Sequence, residues 1–263
     1  MGNNKFNILG GTVDVNGEVD ARWGSLTMTS GSLTAGRLLA TNGVNSGISF
    51  TGGTLTTSNT TYNTGSTLTI GDGAGGNDTV LKLAGGTHTF NNGLIMSSDA
   101  TLTGNGTLAG DVTVSGILAP GTSPGTNVFN NNLTLGSSSV STMEVANVGV
   151  TLSGNDLAQV VGNLTLNSGA NLGLSLSGTP VVGKSWVLFD VGGTLSGVFA
   201  NYDPGAGTFK TFVDAGTTYK LDYAGGTGND ITLTVIPEPA TLGTVALGVA
   251  SLLWLWRRSE QKG

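Results

Sequence analysis

An apolar residue returns about every seven positions through the first half of the chain. The series runs Leu26, Leu33, Ala40, Ile48, Leu55, Tyr62 and Leu68. Past a glycine-rich stretch it resumes at Leu81, His88, Ile95, Leu102 and Leu108. A seven-residue step is also the mark of a coiled coil. Here the filler is Gly, Ser, Thr and Asn, which are poor helix formers. Within each unit the apolar residues alternate instead, as in Leu68-Thr69-Ile70, Leu81-Lys82-Leu83 and Val112-Thr113-Val114. That is the period of a strand. Units such as Gly24-Ser25-Leu26-Thr27, Gly31-Ser32-Leu33-Thr34 and Gly53-Thr54-Leu55-Thr56 repeat the theme. Short strands joined by small polar turns at this interval predict a parallel β-solenoid, with three strands to a coil of roughly 20 residues. Each strand then stacks about 4.8 Å from its counterpart in the next coil. Leu68 and Leu102 face the core on this register, and Thr69 and Thr103 face water. Asn130-Asn131-Asn132 suits a turn that visits left-handed conformations.

The composition fits a folded, exported chain. Gly is 45 of 263 residues and charged residues are only 10%, yet hydrophobic residues reach 38% and recur regularly, which argues against disorder. With no Cys there is no disulfide framework, thiolate nucleophile or Cys-bound metal. A net charge of −6 argues against nucleic-acid binding, which needs a basic patch. Residues 1–156 are assigned to the solenoid. From Leu157 to Val235 the strands lengthen and aromatics concentrate (Trp186, Phe189, Phe199, Tyr202, Phe209, Phe212, Tyr219 and Tyr223). Residues 157–235 are therefore terminal coils or a small β-sandwich cap, either of which closes a solenoid core.

Candidate sites are few. His88, the one histidine, falls in the inward slot beside Phe90 and is expected to be a core residue rather than a catalyst. Gly225-Gly226-Thr227-Gly228-Asn229-Asp230 echoes the start of a calcium-binding nonapeptide, and Gly71 to Asp78 echoes it more loosely. One degenerate unit falls short of the 6–8 oxygens calcium takes. A glycine turn before a last strand, Ile231 to Val235, is expected there. The twelve Asp and four Glu are scattered. A glycosidase needs two carboxylates about 5–10 Å apart across a cleft, and Asp99, Asp111 and Lys82 would meet only by accident of stacking. No catalytic, cofactor-binding or metal-binding residue is assigned.

The C-terminus is more explicit. Pro237-Glu238-Pro239 precedes an uncharged run from Ala240 to Trp256, then Arg257-Arg258. Seventeen helical residues span about 25 Å, a little short of the roughly 30 Å hydrocarbon core. Trp254 and Trp256 at the interface and a snorkelling arginine pair make up the difference. A transmembrane helix over 240–256 is predicted. Positive flanks stay in the cytoplasm, so Arg257 and Arg258 act as the topology stop and the β-rich part lies across the membrane.

Val235-Ile236-Pro237-Glu238-Pro239-Ala240-Thr241-Leu242, the apolar run and Arg257-Arg258 together resemble the PEP-CTERM sorting signal. The resemblance implies a Gram-negative envelope or secreted protein, handled by the membrane protease exosortase. Pro237, Glu238 and Pro239 are then the recognition motif, and exopolysaccharide or neighbouring cell-surface glycans are expected partners. Met1-Gly2-Asn3-Asn4-Lys5-Phe6 has no signal-peptide apolar run, so upstream sequence, including further coils, is expected. A second resemblance rests on Leu108 to Val114, Leu118 to Gly125, Asn132-Leu133-Thr134-Leu135, Met143-Glu144-Val145 and Asn163-Leu164-Thr165-Leu166. These are similar to autotransporter passenger repeats, without the strands of a C-terminal barrel.

The expected architecture is thus all-β: a right-handed parallel β-helix, a β-rich cap and one C-terminal transmembrane helix in residues 236–263. The expected role is non-enzymatic, adhesive or structural. The alternative is a β-helix lyase or glycosidase acting on exopolysaccharide, an analogy of fold alone.

Overall fold

The computed structural model describes residues 4–43, 47–76, 78–147 and 154–238. These residues are nearly all strand, turn or bend, and the all-β expectation holds. Two long strands come first, β1 (Asn4–Asp20) and β2 (Gly24–Ala40). Next are β3 (Gly47–Phe50), β4 (Gly53–Thr57), β5 (Thr60–Tyr62), β6 (Leu68–Ile70) and β7 (Thr79–Phe90). Then follow β8 (Leu94–Met96), β9 (Ala100–Ala109), β10 (Val112–Val114), β11 (Ile117–Pro120), β12 (Thr126–Phe129), β13 (Leu133–Leu135) and β14 (Val140–Asn147). After these come β15 (Leu157–Val160), β16 (Leu164–Leu166), β17 (Asn171–Gly178), β18 (Ser185–Val191) and β19 (Leu195–Ser196). The last three are β20 (Phe209–Asp214), β21 (Thr217–Gly225) and β22 (Asp230–Ile236).

Among the described residues, the ladders that join strands β1 to β19 to one another are parallel, and the chain visits three ladders in turn. The first stacks Leu68, Leu94, Val112, Leu133, Leu164 and Leu195. The second stacks Leu33, Leu55, Leu81, Leu102 and Leu118. The third joins Ala40 to Tyr62 and Tyr62 to Phe90, then Leu108 to Phe129 and Phe129 to Val160. β1, β2, β7 and β9 each run on from one ladder into another, bulging at the corner where pairing registers shift in β1 and β7.

Strand alternation decides what is inside. Leu68, Leu94, Leu102, Val112, Leu118, Leu133 and Leu164 are all buried, while Thr69 is exposed. Each buried aliphatic contributes roughly 1.5–3 kcal/mol, against about 1–2 kcal/mol of backbone entropy per ordered residue. Short strands separated by exposed corners therefore hold because the core is continuous from coil to coil. The interval between stacked partners varies from 16 residues, Leu102 to Leu118, to 31, Leu133 to Leu164.

Three expectations need correction. Ile95 does not hold the inward slot; Leu94 and Met96 do, and Ile95 is exposed. The seven-residue count slips by one there because the preceding corner is a residue short of the regular step. Thr103 is half-buried, with its hydroxyl 3.4 Å from the Gly121 carbonyl oxygen. Asn130, Asn131 and Asn132 do not enter the left-handed region. Among the described residues, the non-glycine residues with positive φ are Ser123 and Ala215. The asparagines cap neighbouring coils instead. Asn131 Oδ1 accepts the Gly110 N–H at 3.0 Å, and Asn132 Oδ1 accepts the Asn163 N–H at 2.9 Å. Asn163 Oδ1 in turn accepts the Thr194 N–H at 2.8 Å. This row of side chains tiles one corner across successive coils.

Past β19 the pairing changes. The start of β18 pairs antiparallel with β22, β22 with β21, and β21 with β20. The end of β18, Phe189 to Val191, still pairs parallel with β15. One strand thus welds a small antiparallel sheet to the parallel stack. Aromatic rings fill the joint: Phe189 and Phe199 lie 5.7 Å apart, Tyr202 and Phe212 4.9 Å, and Phe212 and Tyr219 5.5 Å. The Tyr223 hydroxyl donates to the Tyr202 carbonyl at 3.2 Å and accepts the Phe199 N–H at 3.1 Å.

Candidate functional site

β22 is built to be central. Ile231, Leu233 and Val235 alternate with threonines and are fully buried. Leu233 sits between Trp186 of β18 and Leu221 of β21. The strand begins at the expected glycine turn. Asp230 accepts the Val191 N–H at 2.8 Å and the Thr227 N–H at 2.9 Å, and Gly226 and Gly228 take positive φ. Its carboxylate thus joins turn, cap and parallel stack.

The other end of β22 is where the sorting tripeptide begins. Val235 donates its N–H to the Lys184 carbonyl at 2.9 Å and accepts the Gly183 N–H at 2.8 Å. Ile236 is still paired, opposite Thr218. Pro237 and Glu238 follow at once and are exposed. Pro237 has no N–H to offer, so the ladder stops there. Pro239 restricts Glu238 to extended geometry. The Glu238 carboxylate therefore stands in solvent two residues beyond a folded sheet. Pro239, the apolar run 240–256, Arg257 and Arg258 lie outside the described residues, as does the transmembrane helix predicted over that run. Among the described residues no helix is long and apolar enough to cross a membrane.

The remaining candidates do not converge. His88 is buried, and its Nδ1 lies 3.1 Å from the Thr60 hydroxyl. Its Nε2 lies 2.9 Å from the Gly85 carbonyl oxygen. A carbonyl only accepts, so Nε2 carries the proton and Nδ1 accepts from Thr60. Burial pushes the imidazole pKa below its ordinary value. Asp99 is buried at the corner between β8 and β9, accepting the N–H groups of Asp72 at 3.1 Å and Gly73 at 2.8 Å. Asp111 is exposed at a different corner, bonded to Asn132. Lys82 projects from the middle of the second ladder, opposite Thr56 and Thr103.

The fold does bring together a carboxylate pair, Glu144 and Asp156, that no motif marks. Asp156 is buried and accepts the N–H groups of Gly125 and Glu144, each at 2.8 Å. Burial raises its pKa, and the nearby Glu144 charge adds to the rise. Glu144 itself lines a cavity of about 180 Å³ with Ser123, Ser175 and Ser177. Twelve residues separate the two acids, and an antiparallel bridge between Val145 and Asn155, with the Asp156 N–H donating to the Glu144 carbonyl at 2.8 Å, makes them neighbours.

An all-β body whose last strand passes directly into Pro-Glu-Pro, an uncharged run and an arginine pair has the layout of an exported protein with a C-terminal sorting signal. Residues 235–259 match the family model of the PEP-CTERM protein-sorting motif. Signals of this kind are processed by exosortase, a membrane protease, and imply export across the inner membrane to the cell envelope or surface. No curated protein matches the chain. The first two matched residues, Val235 and Ile236, are the last two of β22, so the signal is anchored in the folded cap.

Proposed function

We propose that this chain is a non-enzymatic surface or extracellular-matrix protein, structural or adhesive in role, and sorted by exosortase at Pro237-Glu238-Pro239. In this reading the three parallel ladders form a right-handed parallel β-helix, a stiff rod whose Ser, Thr and Asn faces meet exopolysaccharide or neighbouring glycans. The observation that carries the reading is the position of the motif. Pro237 and Glu238 are exposed directly after the last strand, extended and open to a protease at the membrane face. A plain membrane anchor needs the apolar run and the arginines but not the tripeptide.

The competing reading is a polysaccharide lyase or glycosidase. Such an enzyme needs a carboxyl free to exchange protons with substrate. Asp156 has one oxygen occupied by the Gly125 N–H and the other by the Glu144 N–H, and it is buried. That arrangement suits a brace between coils better than an acid or base.

The test is expression with and without a cognate exosortase, followed by intact mass. Loss of the C-terminal segment only with the protease is the expected result. Glu238→Ala should leave the precursor in the membrane. An unprocessed chain in both hosts would reduce residues 240–256 to a simple anchor. Release of reducing ends or unsaturated sugars from exopolysaccharide by the purified chain would favour the enzyme.

A further inference from the structure

The end of the cap from which the signal emerges gathers exposed apolar residues. At the level of Ile236 the antiparallel sheet places Thr218, and beside it Val213 near the end of β20. On the other side of β22 the same level is reached by Gly183 and Lys184, bonded to Val235. The loop entering β18 carries Val181 and Val182 there. These valines are 55% and 60% exposed, and Val213 is 67% exposed. The two loops abut: Pro180, Asp214, Ala215 and Thr217 line one cavity of about 220 Å³. Phe209, the exposed aromatic of β20, pairs with Asp222 at the opposite end of the sheet and does not join this group. Single exposed apolar residues need no explanation, but several gathered at one end do.

The chain that leaves this end says what covers it. Three residues, Pro237, Glu238 and Pro239, separate Ile236 from the uncharged run that begins at Ala240. Fully extended they reach about 10–11 Å at roughly 3.3–3.6 Å per residue. The interfacial layer on one side of a bilayer is about 5–8 Å thick, half the difference between about 40–45 Å overall and about 30 Å of hydrocarbon. A tether this short leaves the cap at most about 6 Å beyond the headgroup layer. The residues around the exit therefore face the interface at close range, and the exposed apolar ones among them are valines.

We propose that Val181, Val182, Val213 and Ile236 form a lipid-contact face. On it the precursor rests against the outer leaflet of the inner membrane while the tripeptide is presented. This rests on the reading of residues 240–256 as a membrane span. The contact is apolar rather than electrostatic. Lys184 at this level is offset by Asp214 within the patch region and Glu238 just beyond it, and the chain carries a net charge of −6, so anionic headgroups do not attract it.

The absence of cysteine gives a clean test. Val182→Cys and Val213→Cys in the full chain are labelled with an environment-sensitive fluorophore. Thr69→Cys on the exposed wall of the parallel stack is the control. Each protein is reconstituted into phosphatidylethanolamine–phosphatidylglycerol vesicles, with flotation and circular dichroism to establish insertion and folding. Labels at 182 and 213 should shift to the blue and lose emission to nitroxide-bearing lipids, unchanged by added salt. The label at 69 should respond only to aqueous iodide. A chain that floats with the vesicles while labels 182 and 213 stay accessible to iodide overturns the lipid-contact face and leaves the membrane span intact. A chain that does not float overturns both. Protection of 182 and 213 only when exosortase is added would make the face a protein contact and overturn the lipid assignment.

Discussion

At His88 the chain stores a pH dependence. Both ring nitrogens are engaged with the ring neutral, and burial lowers the folded pKa below 6.5. In the unfolded chain the same group titrates near 6.5. As pH falls from 7 the unfolded state takes up the proton and the folded state does not. Stability therefore falls through about pH 6.5 and levels off once the pH is below the folded value. Asp156 runs the other way: its raised pKa favours the folded state below pH 3.8, a contribution lost as pH climbs to its folded value. Melting temperature between pH 5 and 8 should drop on the acid side, and His88→Gln should flatten that slope. An unchanged slope in the variant would assign it to other groups. Leu102 tests the register in a second way. Leu102→Ala should cost about 2–5 kcal/mol, whereas Thr69→Asp should stay within about 0.5 kcal/mol. Equal losses in chemical denaturation would contradict the alternation. The inward placement of His88 and Leu102 was legible because alternation is local. The slip at Ile95 was not, because a fixed step cannot register a corner that is one residue short.

Strands and corners differ in how far sequence reaches them. Leu-Thr-Leu, Leu-Thr-Ile and Val-Thr-Val triplets announce strands wherever they fall, and β6, β10, β13 and β16 are such triplets. Corners are decided by the coil next door. Gly104 takes φ +86°, and a Cβ there would run into the Leu83 carbonyl oxygen of the preceding coil. Nothing near Gly104 in sequence reveals that neighbour. The asparagine corner is similar: a turn-forming residue was evident, but not that its side chain caps a backbone N–H one coil away. Asn163→Ala removes the acceptor for the Thr194 N–H and should cost about 0.5–1.5 kcal/mol, near the low end because water reaches this exposed corner. Asn163→Asp keeps the acceptor and should cost less. If both variants melt like the parent, the side-chain row contributes nothing to stability. The sorting tripeptide shows the same division. Pro237-Glu238-Pro239 is visible as three adjacent letters, but its fusion to the central strand of a sheet depends on pairings with β18 and β21.

For the whole molecule that fusion limits where the chain can be cut. β22 is held on both sides, and Ile231, Leu233 and Val235 are 0%, 0% and 1% exposed. Losing the strand would uncover Trp186 and Leu221, which pack against Leu233's position from either side. At roughly 1.5–3 kcal/mol for each buried aliphatic, the loss rivals the 5–15 kcal/mol that typically holds a domain together. The damage would also spread, since β18 is shared between the antiparallel sheet and the parallel stack, and Asp230 ties the turn to Val191. A cut beyond Ile236 leaves all of this in place, because Pro237 and Glu238 are exposed and outside every ladder. The mature chain should therefore end at Ile236 or later. Intact mass and C-terminal peptide mapping of the protein recovered after processing would fix the end. A mature terminus at or before Val235, on a protein that still melts cooperatively, would mean that the cap does not depend on its central strand. Val235→Asp makes the complementary measurement in the uncut chain. It puts an unpaired charge at the edge of the core beside Lys184 and Gly183, and should lower the melting temperature of the cap. Glu238→Ala, three residues further on and in solvent, should leave that temperature unchanged.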